Sequence, residues 1–142
     1  MRARPNYSFG RVLPVHPYEW LWEPLADDPS FVLRPMFGGK SAYLDGKLVL
    51  YFSAKAEPWR GVLACTDRTH HAALTAEFPE LTPHPVLPKW LYLPETADSF
   101  ERTARQLVFL ARQRDPRLGV LPQPRKRAAS SKPRRGRSDR RP

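Results

Sequence analysis

Four histidines and one cysteine are among the side chains of this chain that could bind a metal ion or attack a substrate. His70 and His71 are adjacent in a predicted helix, so their side chains diverge by about 100°, whereas two helical ligands of one metal ion stand at i and i+4. Cys65 lies in an apolar, strand-like run, which favours a buried structural thiol over an exposed nucleophile of low pKa. We therefore predict no metal site and no cofactor.

Sequence motifs of common enzyme classes are absent. The chain contains no Gly-x-Ser-x-Gly elbow, no Walker loop and no dinucleotide-binding fingerprint. Asp27 and Asp28 precede a proline, where acids form turns, and no pair of carboxylates suggests an acid and a base. We predict no catalytic residue and a protein that is not an enzyme. Because catalytic residues can be far apart in a sequence, an enzyme or small-molecule sensor with a pocket near Gly38-Gly39 is an open alternative.

The positive charge is concentrated near the C-terminus. The net charge is +10, of which residues 121–142 contribute +8 and residues 1–120 only +2. Nine side chains of the C-terminal segment form a predicted phosphate-binding set, namely Arg125, Lys126, Arg127, Lys132, Arg134, Arg135, Arg137, Arg140 and Arg141. Phosphate contacts carry no sequence information, so we expect DNA or RNA to be bound without sequence specificity.

The C-terminal segment is also poor in apolar side chains, with almost none after Ala129. It cannot bury enough surface to offset the entropy of ordering, so we predict a disordered basic tail over 121–142. A second basic set, Arg102, Arg105 and Arg112, lies on the predicted closing helix. Charges opposite an apolar stripe are the ordinary solvated side of a helix, and a secondary nucleic-acid surface is the alternative.

The run from Arg34 to Phe52 determines the predicted fold class, because glycines divide it into three strand-like stretches. Asp45-Gly46 supplies the positive φ angles of a two-residue hairpin loop, so Leu44 and Lys47 should flank a tight hairpin. Gly38-Gly39 indicates a bend, a bulge or a close backbone approach. An anion-binding loop is the alternative, but it would need a helix N-terminus directly after it.

The third strand of this run is apolar on both faces. A period of two places Leu48, Leu50 and Phe52 on one face and Val49 and Tyr51 on the other. We therefore predict a central strand that is covered on both sides.

One motif of this run points to a known family. Met36-Phe37-Gly38-Gly39, followed by a Tyr-Leu-Asp-Gly hairpin and an apolar strand, resembles the TfoX N-terminal domain and the related YjbR (MmcQ)-like proteins. The run 89–93, with a helix directly after it, resembles the closing part of the YjbR pattern, so the resemblance covers roughly residues 16 to 120. It implies a small bacterial α+β domain without established catalytic residues. TfoX proteins are linked to competence regulation, and YjbR-like proteins are often labelled DNA-binding.

The other segments predict helices and strands around this run. A short helix begins near Pro17 and is kinked or split at Pro24. A fourth strand covers residues 60–65, and Thr66 or Asp67 then caps a helix through residue 78. The apolar side of that helix consists of Ala73, Leu74 and Phe78. Prolines between residues 80 and 88 allow an extended edge segment but no helix.

The closing helix has the clearest pattern. Asp98 and Glu101 fit a capping box at its start. Its apolar stripe consists of Phe100, Ala104, Leu107, Val108 and Ala111. We expect Phe100 and Leu107 to be buried in one core with Leu50 and Phe52.

Together these elements predict an α+β fold with one antiparallel sheet of about five strands and helices packed against it. We divide the chain into an extended N-terminal segment (1–15), a globular domain (16–120) and the basic tail (121–142). The sequence has no apolar run of about eighteen residues that would span a membrane. A single cysteine fits the reducing cytosol, so we expect a cytoplasmic protein with no membrane partner.

The sequence thus favours a non-enzymatic protein that is nucleic-acid-associated or regulatory. Two alternatives stay open. One is an adaptor whose folded domain recognises another protein, and the other is the small-molecule-binding domain or enzyme with a pocket near Gly38-Gly39.

Overall fold

Six strands and three α-helices form the part of the chain that the computed structural model describes, residues 16–122. The strands are β1 (Val32–Met36), β2 (Gly39–Leu44), β3 (Lys47–Ala54), β4 (Arg60–Ala64), β5 (Thr82–Pro83) and β6 (Leu91–Pro94). The helices are α1 (Glu19–Trp22), α2 (His71–Glu77) and α3 (Phe100–Arg112). All strand pairs are antiparallel, in the spatial order β1-β2-β3-β4-β6-β5.

This architecture confirms the predicted α+β class with one antiparallel sheet. The sixth strand is the two-residue β5, which lies at a sheet edge in the proline-rich segment. The predicted extended segment 1–15 and residues 123–142 of the predicted tail lie outside the described residues. No helix between residues 16 and 122 is long and apolar enough to cross a membrane.

Two tight hairpins join the first three strands. Asp45 and Gly46 have φ angles of 54° and 78°, and Leu44 pairs with Lys47, so the predicted Asp-Gly hairpin is confirmed. Phe37 and Gly38 form a second loop of the same kind, with φ angles of 51° and 79° between the paired Met36 and Gly39. The bend expected at the glycine pair is therefore a two-residue turn whose first residue is a phenylalanine.

The central strand β3 is buried from Leu48 to Ser53 and covered on both sides, as predicted. The predicted distribution of its side chains is wrong at two positions. Leu50 and Phe52 share one cluster, but Val49 joins them there, and Leu48 lies with Tyr51 in the other cluster. A bulge causes this, because Leu48 pairs with Tyr43 and Leu50 with Ala42, which leaves Val49 as the extra residue.

The larger hydrophobic cluster lies between the sheet and the helices. Leu50, Phe52, Phe100 and Leu107 are all buried in it, which confirms the predicted core. The whole predicted stripe of α3 is buried as well. The expected capping box is wrong, because Ser99 is the N-cap residue and makes no side-chain capping bond. Its hydroxyl instead donates to a carboxylate oxygen of Glu80.

The two shorter helices differ in detail from the expectation. The helix at the N-terminal end stops at Trp22, and a 3-10 turn over Glu23–Leu25 contains Pro24, so the predicted split is confirmed. Asp67 caps a 3-10 turn over Arg68–His70 that precedes α2. Ala73 is exposed, contrary to prediction. Leu74 is the buried residue of the seven-residue α2, and the buried Phe78 follows one turn later on the same side. Residue 73 points about 100° away from Leu74 around the helix axis and therefore does not face the core.

The smaller cluster lies on the opposite face of the sheet and contains no helical residue within the described part of the chain. We call this the helix-free face. Its buried members are Leu48, Tyr51, Leu63, Cys65 and Tyr92. It is partly covered by the segment 84–90 and by Val120, which exchanges two backbone hydrogen bonds of 2.9 Å with Leu48. Cys65 is fully buried, as predicted, and burial raises the pKa of its thiol well above the usual value.

Candidate functional site

The tip of the first hairpin projects an aromatic ring into solvent. The Phe37 side chain is 63% exposed. The backbone below it is fixed, because the buried Tyr51 hydroxyl lies 2.7 Å from the Met36 carbonyl oxygen and 3.2 Å from that of Phe37. Gly39 lies so close to this hydroxyl that an added Cβ would be 2.6 Å from the Tyr51 Oη. The close backbone approach predicted for the glycine pair is confirmed, and a strand rather than a helix follows it.

The loop between β3 and β4 lies beside this tip. Lys55 Nζ is next to Gly38, where an added Cβ would come within 2.5 Å of it. The Tyr92 hydroxyl donates to Glu57 Oε1 over 2.7 Å and accepts from the Arg60 amide over 2.8 Å. Burial, followed by this hydrogen bond to Glu57, raises the pKa of Tyr92. The neutral Tyr92 side chain therefore links the β3–β4 loop to strand β6 by hydrogen bonds.

A buried histidine ties the proline-rich segment to the same loop. His84 Nδ1 accepts hydrogen bonds from the backbone amides of Val86 (3.0 Å) and Leu87 (3.1 Å). Its Nε2 must then carry the proton, and it donates to the Pro58 carbonyl oxygen over 2.7 Å. The imidazole also packs on the Trp59 ring, with 4.3 Å between the centroids. The side chain is fully buried and has a structural role that its position among prolines did not reveal.

The tip of the first hairpin, the loop between β3 and β4 and the proline-rich segment line an open apolar cleft of about 560 Å³, which we call the Phe37 cleft. Its walls are formed by Phe37, Lys55, Ala56, Glu57, Trp59, Val86 and Leu87. A second cleft of about 320 Å³, the Trp90 cleft, is also lined by Val86 and Leu87, together with Arg68, Pro88, Lys89 and Trp90. Because both clefts are lined by Val86 and Leu87, they adjoin each other.

Cations without an ion pair in residues 16–122 surround the two clefts. Lys55 lines the Phe37 cleft, and Arg68 and Lys89 line the Trp90 cleft. Farther along the helix-free face, the Arg34 guanidinium lies over the Tyr43 ring, 5.6 Å from its centroid.

Two acids lie near these cations, and both already accept hydrogen bonds. The Glu57 carboxylate accepts one from Tyr92. Asp67 accepts from the Thr69 amide over 3.0 Å and from the Thr69 hydroxyl. Neither carboxylate forms an ion pair with Lys55, Arg68 or Lys89 in residues 16–122, so the surface combines apolar walls with cations that are unpaired in this part of the chain.

Two of the three arginines on the solvent side of α3 are paired with acids. Of the three arginines expected to form a secondary surface, Arg105 pairs with Glu101 at 3.8 Å and lies over the Trp20 ring. Arg112 pairs with Asp27 at 3.2 Å. Arg102 is exposed and makes no ion pair within the described residues. The structure thus places all three on the solvent side of α3 but does not join them into a free positive patch.

The charge of the described part of the chain is nearly balanced. Residues 16–122 contain 12 Lys or Arg and 13 Asp or Glu, for a net charge of −1. The nine cations predicted to bind phosphate, residues 125–141, lie outside the described residues. In the described part, no group of three or more His, Cys, Asp or Glu side chains could hold a metal ion.

Comparisons with protein-family models, with curated proteins and with solved structures find no match to this chain.

Proposed function

We propose that this protein is a non-enzymatic, nucleic-acid-associated protein of the TfoX N-terminal or YjbR-like type. The basic C-terminal segment would contact phosphates without sequence specificity, and the α+β domain would carry it. The proposal includes the bacterial cytoplasm as its location, which the single, fully buried Cys65 thiol supports.

The segregation of charge along the chain is the observation that carries this proposal. Residues 16–122 have a net charge of −1, whereas residues 121–142 have one of +8. Two of the three arginines on the back of α3 are ion-paired. A high density of positive charge in one short segment releases counterions from a nucleic acid and produces binding that depends on salt.

The test replaces the nine Lys and Arg residues of 125–141 by glutamine in the full chain. Each engaged phosphate contributes about −0.9 to the slope of log affinity against log salt on duplex DNA. If five to nine cations engage, the wild-type slope should be about −4 to −8. The neutralised variant should lose most of its affinity. The matched control, R102Q/R105Q, should keep it.

Two outcomes would contradict the proposal. If the wild-type protein binds neither DNA nor RNA at low salt, the association itself is refuted and the adaptor function becomes the better candidate. If the neutralised variant binds with the full affinity and slope, the C-terminal segment is not the phosphate-binding element.

The second candidate function is recognition of a small molecule or a protein segment in the Phe37 cleft. The observation in its favour is an open apolar cleft of about 560 Å³ directly beside Gly38. Concave apolar sites with a few polar groups are typical of ligand binding. Native mass spectrometry of the purified protein tests it, because a bound metabolite adds a defined mass that F37A should lose.

A further inference from the structure

We propose that the helix-free face binds unpaired nucleobases, with one base held in the Phe37 cleft between Phe37 and Trp59. This inference rests on the proposed function and names its substrate class as single-stranded nucleic acid. It assigns a second element of recognition, within the folded domain, besides the basic C-terminal segment.

Two exposed apolar side chains and one half-buried aromatic ring lie around the Phe37 cleft. Phe37 and Val86 are 63% and 58% exposed, and both line the Phe37 cleft together with the half-buried Trp59. Isolated apolar side chains on a surface are ordinary, but several around one concavity indicate a binding site. Aromatic rings offer a flat surface on which any base can stack.

Side-chain hydrogen bonds hold the backbone of two walls of the cleft in place. The Tyr51 hydroxyl anchors the hairpin tip beneath Phe37. His84 crosslinks the loop before β4 to the segment that contains Val86. The backbone that carries Phe37 and Val86 is therefore fixed before a ligand arrives, which reduces the conformational entropy lost on binding.

Cations lie beside the apolar walls of both clefts. Lys55 lies against the hairpin tip beside the Phe37 cleft, and Arg68 and Lys89 line the adjoining Trp90 cleft. Stacking rings among cations are the combination that single-strand-binding surfaces use, because bases stack while phosphates follow the cations. Glu57 is compatible with this arrangement, since a carboxylate in the wall accepts hydrogen bonds from the exocyclic amino group of a base.

Duplex DNA does not fit the same site. Its bases are stacked inside the helix and cannot reach a ring in a cleft without being flipped out. A duplex could therefore use only the phosphate contacts. The inference predicts that the protein prefers a single strand to the duplex of the same sequence.

The experiment measures binding of the full-length protein to a fluorescein-labelled DNA strand, alone and annealed to its complement, by anisotropy. F37A should weaken strand binding about 5- to 100-fold and leave duplex binding unchanged. The matched control is F109A, because Phe109 is 59% exposed but lies on α3, on the opposite side of the sheet. It should change neither affinity.

Two further variants keep the test independent of folding defects. F37L retains an apolar side chain at the hairpin tip without a flat ring, so its strand binding should be weakened but less than that of F37A. K55Q should make the salt slope on the strand shallower by about 0.7, the value of one phosphate contact. Each variant should show the circular dichroism spectrum of the wild type, and ultraviolet crosslinks to the strand should map to the hairpin tip or to Trp59.

The possible failures are distinguishable. If F37A and F37L bind the strand as tightly as the wild type while the nine-cation variant binds nothing, the proposed function stands and the base-binding site is refuted. If the wild type binds neither strand nor duplex at low salt, both are refuted. If F37A weakens strand and duplex equally, the cleft does not select unpaired bases, and the inference is overturned.

Discussion

Replacing Gly39 by alanine should destabilise the domain by about 2–4 kcal/mol. Residue 39 is enclosed, because its Cβ would be 2.6 Å from the Tyr51 Oη and 2.8 Å from the Tyr51 Cζ, and the Phe52 carbonyl oxygen is also in contact range. Forcing a methyl group into a filled space costs typically 1–3 kcal/mol. If Tyr51 moves aside it also loses its bond to Met36, which contributes about another 1 kcal/mol.

The matched control is Gly46, where the constraint is conformational and not steric. No atom lies within 4 Å of a Cβ added there, but its φ angle is +78°. Alanine at this position should cost only about 1 kcal/mol, and asparagine less, because asparagine tolerates the left-handed region. At Gly39 the order should reverse, with asparagine at least as damaging as alanine, since the larger side chain meets the same atoms.

Urea unfolding followed by far-ultraviolet circular dichroism measures both pairs of variants. In a double-mutant cycle, Y51F should recover part of the cost of G39A, because it removes the hydroxyl from the path of the new methyl group. It should not recover all of it, since the Phe52 carbonyl is backbone. A G39A protein that unfolds at the wild-type urea concentration would refute the close approach. An asparagine variant more stable than the alanine variant at residue 39 would show that φ, and not space, sets the cost.

Three other perturbations have defined outcomes. Leu107→Ala should lower the free energy of unfolding by about 2–5 kcal/mol, because this side chain of α3 is fully buried in the core. An unchanged urea midpoint would place that helix face in solvent. The Cys65 thiol should resist a thiol reagent such as DTNB at pH 7 and react at once in urea, since burial raises its pKa, so rapid labelling of the native protein would contradict its position. Hydrogen bonds from the Ser30 amide and hydroxyl, and then from Arg114, hold the pKa of Asp28 below its ordinary value of 3.8. The stabilisation by its carboxylate is thus present above pH 3.8 and is lost as the pH falls through the lower native pKa. Asp28→Asn should therefore be less stable than the wild type at pH 7, and urea midpoints measured from pH 7 to pH 2 should converge, whereas a constant difference would show that the charge is not responsible.

Much of the fold follows from local chemistry that the sequence displays directly. The Asp45-Gly46 pair predicted a two-residue hairpin loop, and the apolar stripe of α3 predicted a buried helix face. The structure confirms both predictions. The bulge at Val49 could not be predicted, because it depends on how β2 and β3 pair and not on either strand alone. The predicted capping box of α3 is wrong for a similar reason. The N-cap residue is Ser99, and its hydroxyl bonds to Glu80, a residue distant in sequence.

The candidate site was predictable only in part. The glycine pair indicated a constrained backbone and an alternative pocket beside it, and the structure places the Phe37 cleft there. The opposite wall comes from Val86 and Leu87, whose position depends on His84. A histidine that bonds two amides and a carbonyl from separate segments has no signature in a single sequence. The basic segment 125–141 lies outside the described residues, so its role stays a prediction.

The two outer strands of the sheet have a consequence for self-association. Strand β1 contains Pro35, and β5 consists of Thr82 and Pro83, so each edge strand of the described sheet contains a proline. A proline has no amide hydrogen to donate to an incoming strand, and prolines on edge strands are one of the ways natural sheets discourage edge-to-edge pairing. These prolines disfavour the addition of a further strand at either edge of the sheet, whose central strand β3 contains the apolar run from Leu48 to Phe52.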